Sequence, residues 1–176
     1  WQRSEQFCCF DFPIRDLHDA SLTVIGSGSL GSGVARLAEA FGMHVLRSER
    51  KGAAGTRPGY TPFDQALQAA DAISLHCPLT PETKHLIGET ELRAMKPTAL
   101  LINTARGGLV DEAALASALQ QGWIAGAGFD VLTAEPPGNG NILLAPQLLA
   151  LPNFLLTPHV ARSEERRVGK ECRSRW

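Results

Sequence analysis

Apolar residues along this chain follow two periods that alternate. Short apolar runs at 22–25, 43–47, 72–76, 99–103, 123–131 and 154–157 read as strands. The run at 99–103 is apolar on both faces, as a parallel strand covered by helices should be. Between the runs, apolar residues recur at helical spacing. Val34, Leu37, Ala38 and Phe41 follow the first run, and Ala66, Leu67 and Ala70 follow Thr61. Further helices are predicted at 81–95, broken at Gly88 and ended by Pro97, at 111–121, and briefly at 146–150. Gly42 stands where a C-cap glycine belongs, Asp111 where an N-cap belongs, and Gly122 just past the helix end. Strands alternating with helices in this rhythm imply the α/β class, a doubly wound parallel sheet with the spatial order 3-2-1-4-5-6.

The first strand–helix junction carries Gly-Ser-Gly-Ser-Leu-Gly at 26–31. In such a turn Gly26 allows the sharp bend, Gly28 has no Cβ to keep a pyrophosphate off the backbone, and Gly31 lets the helix lie close on the strand. The amides of the first helical turn then attract phosphates. The second strand delivers an acid, Glu49, about twenty residues on, the spacing of a ribose-binding carboxylate. The other reading is a merely tight βα turn.

Composition narrows the class. The chain has 176 residues, 44% of them hydrophobic, enough for one full domain and too few for two large ones. No apolar run approaches the roughly eighteen residues of a membrane span. Cys8, Cys9, Cys77 and Cys172 lack zinc-ligand spacing, so no metal site and no disulfide framework is expected, and a cytoplasmic setting is. A formal net charge of −1 argues against a nucleic-acid partner. That charge is uneven: residues 162–176 carry six Lys/Arg against three Glu, a net of +3, leaving −4 elsewhere. The tail has no apolar periodicity and looks like one reading frame of a sequencing adapter, so it is expected to be non-native or disordered. With Trp1 at its head, the chain reads as a piece of a longer one.

In a sheet of this kind ligands sit beyond the carboxyl ends of the strands. Those ends offer Glu49, His76, Asn103, Thr104, Arg106, Asp130, Glu135 and His159. An arginine, a carboxylate and a histidine converging there suit reduction of a 2-oxo acid. Arginine holds a carboxylate through two parallel hydrogen bonds, and histidine gives a proton to the carbonyl oxygen as hydride arrives. A nearby carboxylate fixes the ring and favours the imidazolium.

Five motifs then arrive in order. They are the glycine turn, His-Cys-Pro-Leu-Thr-Pro-Glu-Thr at 76–83, Ile-Asn-Thr-Ala-Arg-Gly-Gly-Leu-Val-Asp at 102–111, Gly-Phe-Asp-Val-Leu-Thr-Ala-Glu-Pro-Pro at 128–137, and Thr-Pro-His at 157–159. On these, residues from about 10 to 161 resemble the cofactor domain of the D-isomer-specific 2-hydroxyacid dehydrogenases. The stretches at 11–13 and 38–43 are most similar to glycerate dehydrogenases (hydroxypyruvate reductases). The resemblance implies that Arg106 binds the substrate carboxylate, His159 is the acid/base and Glu135 its pKa-raising partner. Asp130 is then expected at the nicotinamide carboxamide and Glu49 at the adenosine ribose.

Gly26, Gly28, Ser29, Leu30 and Gly31 are expected at the pyrophosphate. Arg50, His76, Cys77, Pro78 and Thr83 are expected along the cofactor, and so are Asn103, Thr104, Ala105 and His159. Blander readings stay open: His76 as a structural group, Asp130 as a strand-end cap, Glu135 as a solvated turn residue. NAD is the expected cofactor because Glu49 repels a 2′-phosphate; Arg50 and Lys51 keep NADP possible. The expected partner is a small 2-oxo or 2-hydroxy acid, with homodimerisation implied by the resemblance. Expected boundaries are 1–20 for a connector from a substrate domain, 21–161 for the dinucleotide-binding domain, and 162–176 for the tail. Arg162 departs from the family pattern after Thr-Pro-His. Two other functions are a dinucleotide-sensing interaction protein and an inert cofactor-binding fragment.

Overall fold

The β-branched and apolar run after Ala20 forms β1 (Ser21–Ile25), and five further strands line up parallel to it. They are β2 (His44–Arg47), β3 (Ala72–Leu75), β4 (Leu100–Asn103), β5 (Gly126–Phe129) and β6 (Phe154–Leu156). The helices between them are α1 (Ser29–Ala40), α2 (Phe63–Ala69), α3 (Glu89–Ala94), α4 (Glu112–Gln121) and α5 (Pro146–Leu149). This computed structural model describes residues 16–138 and 140–161. The expectations for 1–15 and for the 162–176 tail lie outside the described residues.

The sheet is ordered β2-β1-β3-β4-β5-β6. The doubly wound pattern, with its reversal at β1, is the one expected, but its third member is vestigial. Thr61 alone lies beside Ser48 in a parallel bridge, with Glu49 N–H to Thr61 O and Thr61 N–H to Arg47 O both 2.8 Å. Counting that bridge as the third member gives the order 3-2-1-4-5-6-7, in which the run at 72–76 is the fourth.

Strand alternation sends the two faces of the sheet to different partners. Leu22 and Val24 pack with Ala35 and Ala38 of α1. On the other face Ile25, Ile73, Leu75, Leu101, Ala127 and Phe129 join Leu67, Leu92, Leu115 and Leu119 of α2–α4 in the main core. Each such large side chain, fully buried, contributes about 1.5–3 kcal/mol. The register places Leu100, Ile102, Gly128 and Leu155 on the α1 side. There Leu100 is 46% and Leu155 66% exposed. α1 itself turns its small residues Gly31, Ala35 and Ala38 inward, while Leu37 and Phe41 face solvent.

Helix ends follow the sequence signals. Gly42 has φ 77° and closes α1, with Met43 N–H bonded to Ala38 O at 3.0 Å. Asp111 Oδ1 accepts from Ala113 and Ala114 N–H, and Gly122 sits in the left-handed region at φ 68°. The predicted helix at 81–95 is shortened to α3. Residues 85–87 instead pair with the chain at 108–111, with Ile87 N–H to Leu109 O at 3.1 Å and Asp111 N–H to Ile87 O at 2.9 Å. Thr83 takes Thr80 N–H and donates to Pro78 O, which competes with helix formation. The fifth strand starts three residues late, because Trp123 N–H still closes α4 on Ala118 O and the indole lies under Arg93.

Candidate functional site

The glycine turn adopts the geometry its sequence requires. Gly26 has φ 103°, and a Cβ there would run into the backbone of His76 and Cys77. A Cβ on Gly31 would collide with the Gly26 carbonyl oxygen, so α1 sits against β1 only because that position is glycine. At Gly28 a side chain would meet nothing. α1 begins with no side-chain cap and no acid in its first turn, which leaves its leading amides available to an anion.

Beside the turn, at the carboxyl ends of β1, β2 and β3, opens a cavity of about 570 Å³. Gly26, Ser27, Glu49, Arg50, Arg57, Cys77, Pro78 and Thr83 line it, with Phe63 and Leu86. Glu49 is buried and saturated. Its Oε1 accepts Arg50 N–H at 2.9 Å and Arg57 Nη2 at 2.8 Å, and its Oε2 accepts Arg57 N–H at 3.1 Å and Arg57 Nε at 2.8 Å. The Arg57 fork, then the Arg50 and Arg57 amides, bring the Glu49 carboxyl down to about 2. Arg57 is stacked 3.8 Å above the Tyr60 ring, and Tyr60 Oη bonds Ser27 Oγ at 2.7 Å. The carboxylate expected to accept ribose hydroxyls therefore has all its acceptor sites filled by the loop after β2.

Past β4, the Asn103 side chain is fully buried and spent on its own loop. Nδ2 donates to Arg106 O at 2.8 Å and Oδ1 accepts Ala105 N–H at 3.1 Å. Asn103 thus shapes the 104–106 loop. Thr104 and Ala105 are half-buried in that loop, and Arg106 is exposed with Nη1 on Ala105 O at 2.6 Å. Gly107 is pressed onto the Leu132–Thr133 backbone so closely that a Cβ has no room.

That contact joins the Arg106 loop to the segment carrying Glu135. Glu135 Oε1 accepts Leu132 N–H at 2.8 Å, and its Oε2 accepts His159 Nδ1–H at 2.5 Å. His159 follows β6 with φ 53°, and its Nε2 has no partner among the described residues. Asp130, at the end of β5, ties this loop down. Oδ1 accepts Thr157 Oγ1–H at 2.5 Å and Val160 N–H at 2.9 Å, and Oδ2 accepts Ala161 N–H at 2.8 Å. Burial works against its ionisation, but the Thr157 hydroxyl and the Ala161 and Val160 amides outweigh it and hold the carboxyl below the usual aspartate range. Asp130 thus anchors the His159 loop.

The expected residues therefore fall into two adjoining groups. Gly26, Glu49, Arg50, Cys77, Pro78 and Thr83 surround the cavity, with Gly28, Ser29, Leu30 and Gly31 in the turn and α1 beside it. Arg106, Glu135 and His159 stand past the ends of the neighbouring strands β4, β5 and β6. His76 turns away to Ser74 Oγ at 2.8 Å; burial lowers its pKa and raises that of Cys77. Sequence reasoning missed Arg57 and Tyr60. Their signal was a further arginine and the one aromatic of the 50–60 loop that follows Glu49. Among the described residues no cluster could hold a metal ion, and no helix is long and apolar enough to cross a membrane.

Comparison with known proteins places this geometry. The family described as "D-isomer specific 2-hydroxyacid dehydrogenase, NAD binding domain" matches residues 1–161. A glycerate dehydrogenase of Methylorubrum extorquens is 51% identical over 161 residues, 92% of this chain and 49% of the relative. A glyoxylate reductase of Korarchaeum cryptofilum is 43% identical, covering 91% of this chain and 46% of the relative. Among solved structures, the NAD-complexed D-isomer specific 2-hydroxyacid dehydrogenase from Lactobacillus delbrueckii ssp. bulgaricus superposes with a TM-score of 0.74 at 39% identity. It covers 86% of this chain and 49% of that one. The chain spans about half the length of the curated relatives it matches. It belongs to the D-isomer specific 2-hydroxyacid dehydrogenases, over their NAD binding domain.

Proposed function

We propose that this chain is the dinucleotide-binding part, residues 21–161, of an oxidoreductase. That enzyme moves hydride between NAD(H) and a small 2-oxo or 2-hydroxy acid of the hydroxypyruvate/glycerate or glyoxylate/glycolate type. The residues present fit such a cofactor: uncapped amides at α1, open space over Gly28, and a cavity past β1–β3. The nicotinamide, when bound, supplies the hydride.

The observation that carries the reading is the His159–Glu135 pair, at 2.5 Å, on the edge that also carries Arg106. Glu135 accepts from Nδ1, which fixes the tautomer and the ring and leaves Nε2 as the atom that gives or takes the substrate proton. Asp130 keeps the loop under that ring in place. Arg106 turns its planar fork on the substrate carboxylate, exchanging the Ala105 carbonyl for two charge-assisted bonds. The exposed Leu30 and Leu37 of α1, with Phe41 just past its end, support a homodimer of the whole protein, and the free thiol of Cys77 suits the cytoplasm.

The test is hydroxypyruvate and glyoxylate reduction by the full-length protein and its His159→Gln variant. Gln retains the size but transfers no proton, and kcat is expected to fall about 10²- to 10⁴-fold. Near-normal turnover in the variant would place the acid elsewhere, and tight dinucleotide binding without turnover in the parent would favour a sensing role.

A further inference from the structure

The loop after β2 bears on which dinucleotide the cavity takes, a question that rests on the reading just given. An acid at the end of the second strand selects NAD in two ways: it accepts the ribose hydroxyls, and its charge repels a 2′-phosphate. Glu49 is placed to do neither. Four hydrogen bonds from Arg50 and Arg57 fill its two oxygens, and a guanidinium paired in bidentate fashion cancels its charge.

The pair is not a loose surface contact. Arg57 is clamped between Glu49 on one side and the Tyr60 ring on the other, and Tyr60 is bonded to Ser27 of the glycine turn. Its side chain is still 49% exposed and lines the cavity. Only two of its guanidinium nitrogens are engaged by Glu49, so donors remain for an incoming anion. Arg50 adds an exposed cation on the same wall with no ion-pair partner among the described residues. Lys51, by contrast, is committed to Glu91 at 2.8 Å and to Leu86 O at 3.3 Å. Glu82 also lines the cavity, so the cationic donors available beside the buried acid are Arg50 and the free part of the Arg57 fork.

We propose that Arg57, together with Arg50, is the cofactor-selecting element of this chain: it masks Glu49 and offers a guanidinium pair to the 2′-phosphate of NADP(H), so that the cavity takes the phosphorylated dinucleotide as well as NAD(H). Arg57 acts on both cofactors in opposite senses. It withholds Glu49 from the ribose of NAD(H), and it contributes charge-assisted bonds to NADP(H).

Calorimetric titration of the full chain with NADH and NADPH tests this, in the parent, in Arg57→Ala and in Arg50→Ala. The parent is expected to bind the two with dissociation constants within about tenfold of each other. Arg57→Ala should weaken NADPH at least about tenfold, the worth of one charge-assisted bond, while NADH binding holds or tightens as Glu49 is released. Arg50→Ala removes an exposed charge from the cavity wall and should weaken NADPH several-fold more than it weakens NADH. NADPH binding in the parent should also weaken more steeply with added salt. A parent that prefers NADH by more than tenfold, or variants that shift both dinucleotides equally, would overturn the proposal while leaving dinucleotide binding intact. If neither dinucleotide binds, the proposal and the reading beneath it fall together.

Discussion

Asp130→Asn isolates the anchor beneath His159. The carboxylate takes three donors, Thr157 Oγ1–H, Val160 N–H and Ala161 N–H. Asparagine has the same shape but one acceptor oxygen. If that oxygen keeps Thr157 and Val160, the new NH₂ faces the Ala161 N–H, donor against donor. One charge-assisted bond is lost, worth about 1.5–3 kcal/mol, and the other two fall to neutral strength. The local cost comes to about 2–4 kcal/mol, or roughly a 30- to 700-fold rise in the opening equilibrium of the 157–161 loop. Amide hydrogen exchange reads this directly. The Val160 and Ala161 amides should lose protection by that factor, while amides of β1 and β3 stay as they were. The pH dependence has a definite sign. The folded carboxyl lies below 3.8, so its stabilisation is complete above that pH and is lost only as pH falls through the lower folded value. The Asn variant lacks that acid-dependent part. Undiminished protection at Ala161 would show that Asp130 does not hold the loop.

Two other perturbations probe the framework. Gly31→Ala places a Cβ against the Gly26 carbonyl, backbone against backbone, and should destabilise the fold by at least about 1–3 kcal/mol; an unchanged urea midpoint would refute close packing there. Glu49 has a folded pKa of about 2 against 4.5 ordinarily, so its pairing stabilises fully above 4.5 and fades as pH drops toward 2. The stability difference between the parent and Glu49→Gln should therefore shrink across that window, and a difference that ignores pH would disprove the pairing.

What could be read before folding was whatever depends on neighbours in the chain. The turn glycines at 26 and 31, the Asp111 cap and the Gly122 exit each answer to a local backbone requirement, and all stand where the residues placed them. The meeting of Glu135 and His159 was implied by the family resemblance of the motifs that carry them. Tertiary competition hid the rest. The stretch at 85–87 had helical spacing, but it pairs with 108–111. Asn103 and Asp130 are the right residue types for ligand contacts, yet each spends its side chain on holding a loop, which no spacing rule reveals. Arg57 sits in a loop with no period at all, and only the folded chain brings its fork back onto Glu49.

The sheet also has an unequal two-sidedness. α1 shelters β1 and β2, whereas farther along the same side Leu100 and Leu155 stand in water, with the bare backbone of Gly128 between their rows. Solvent there meets grease and has little to bond to. Whatever comes to rest on that strip in the whole protein gains hydrophobic contact and is coupled by mass action to the folding of the sheet beneath it. Melting points measured with and without that neighbour therefore describe two different thermodynamic systems.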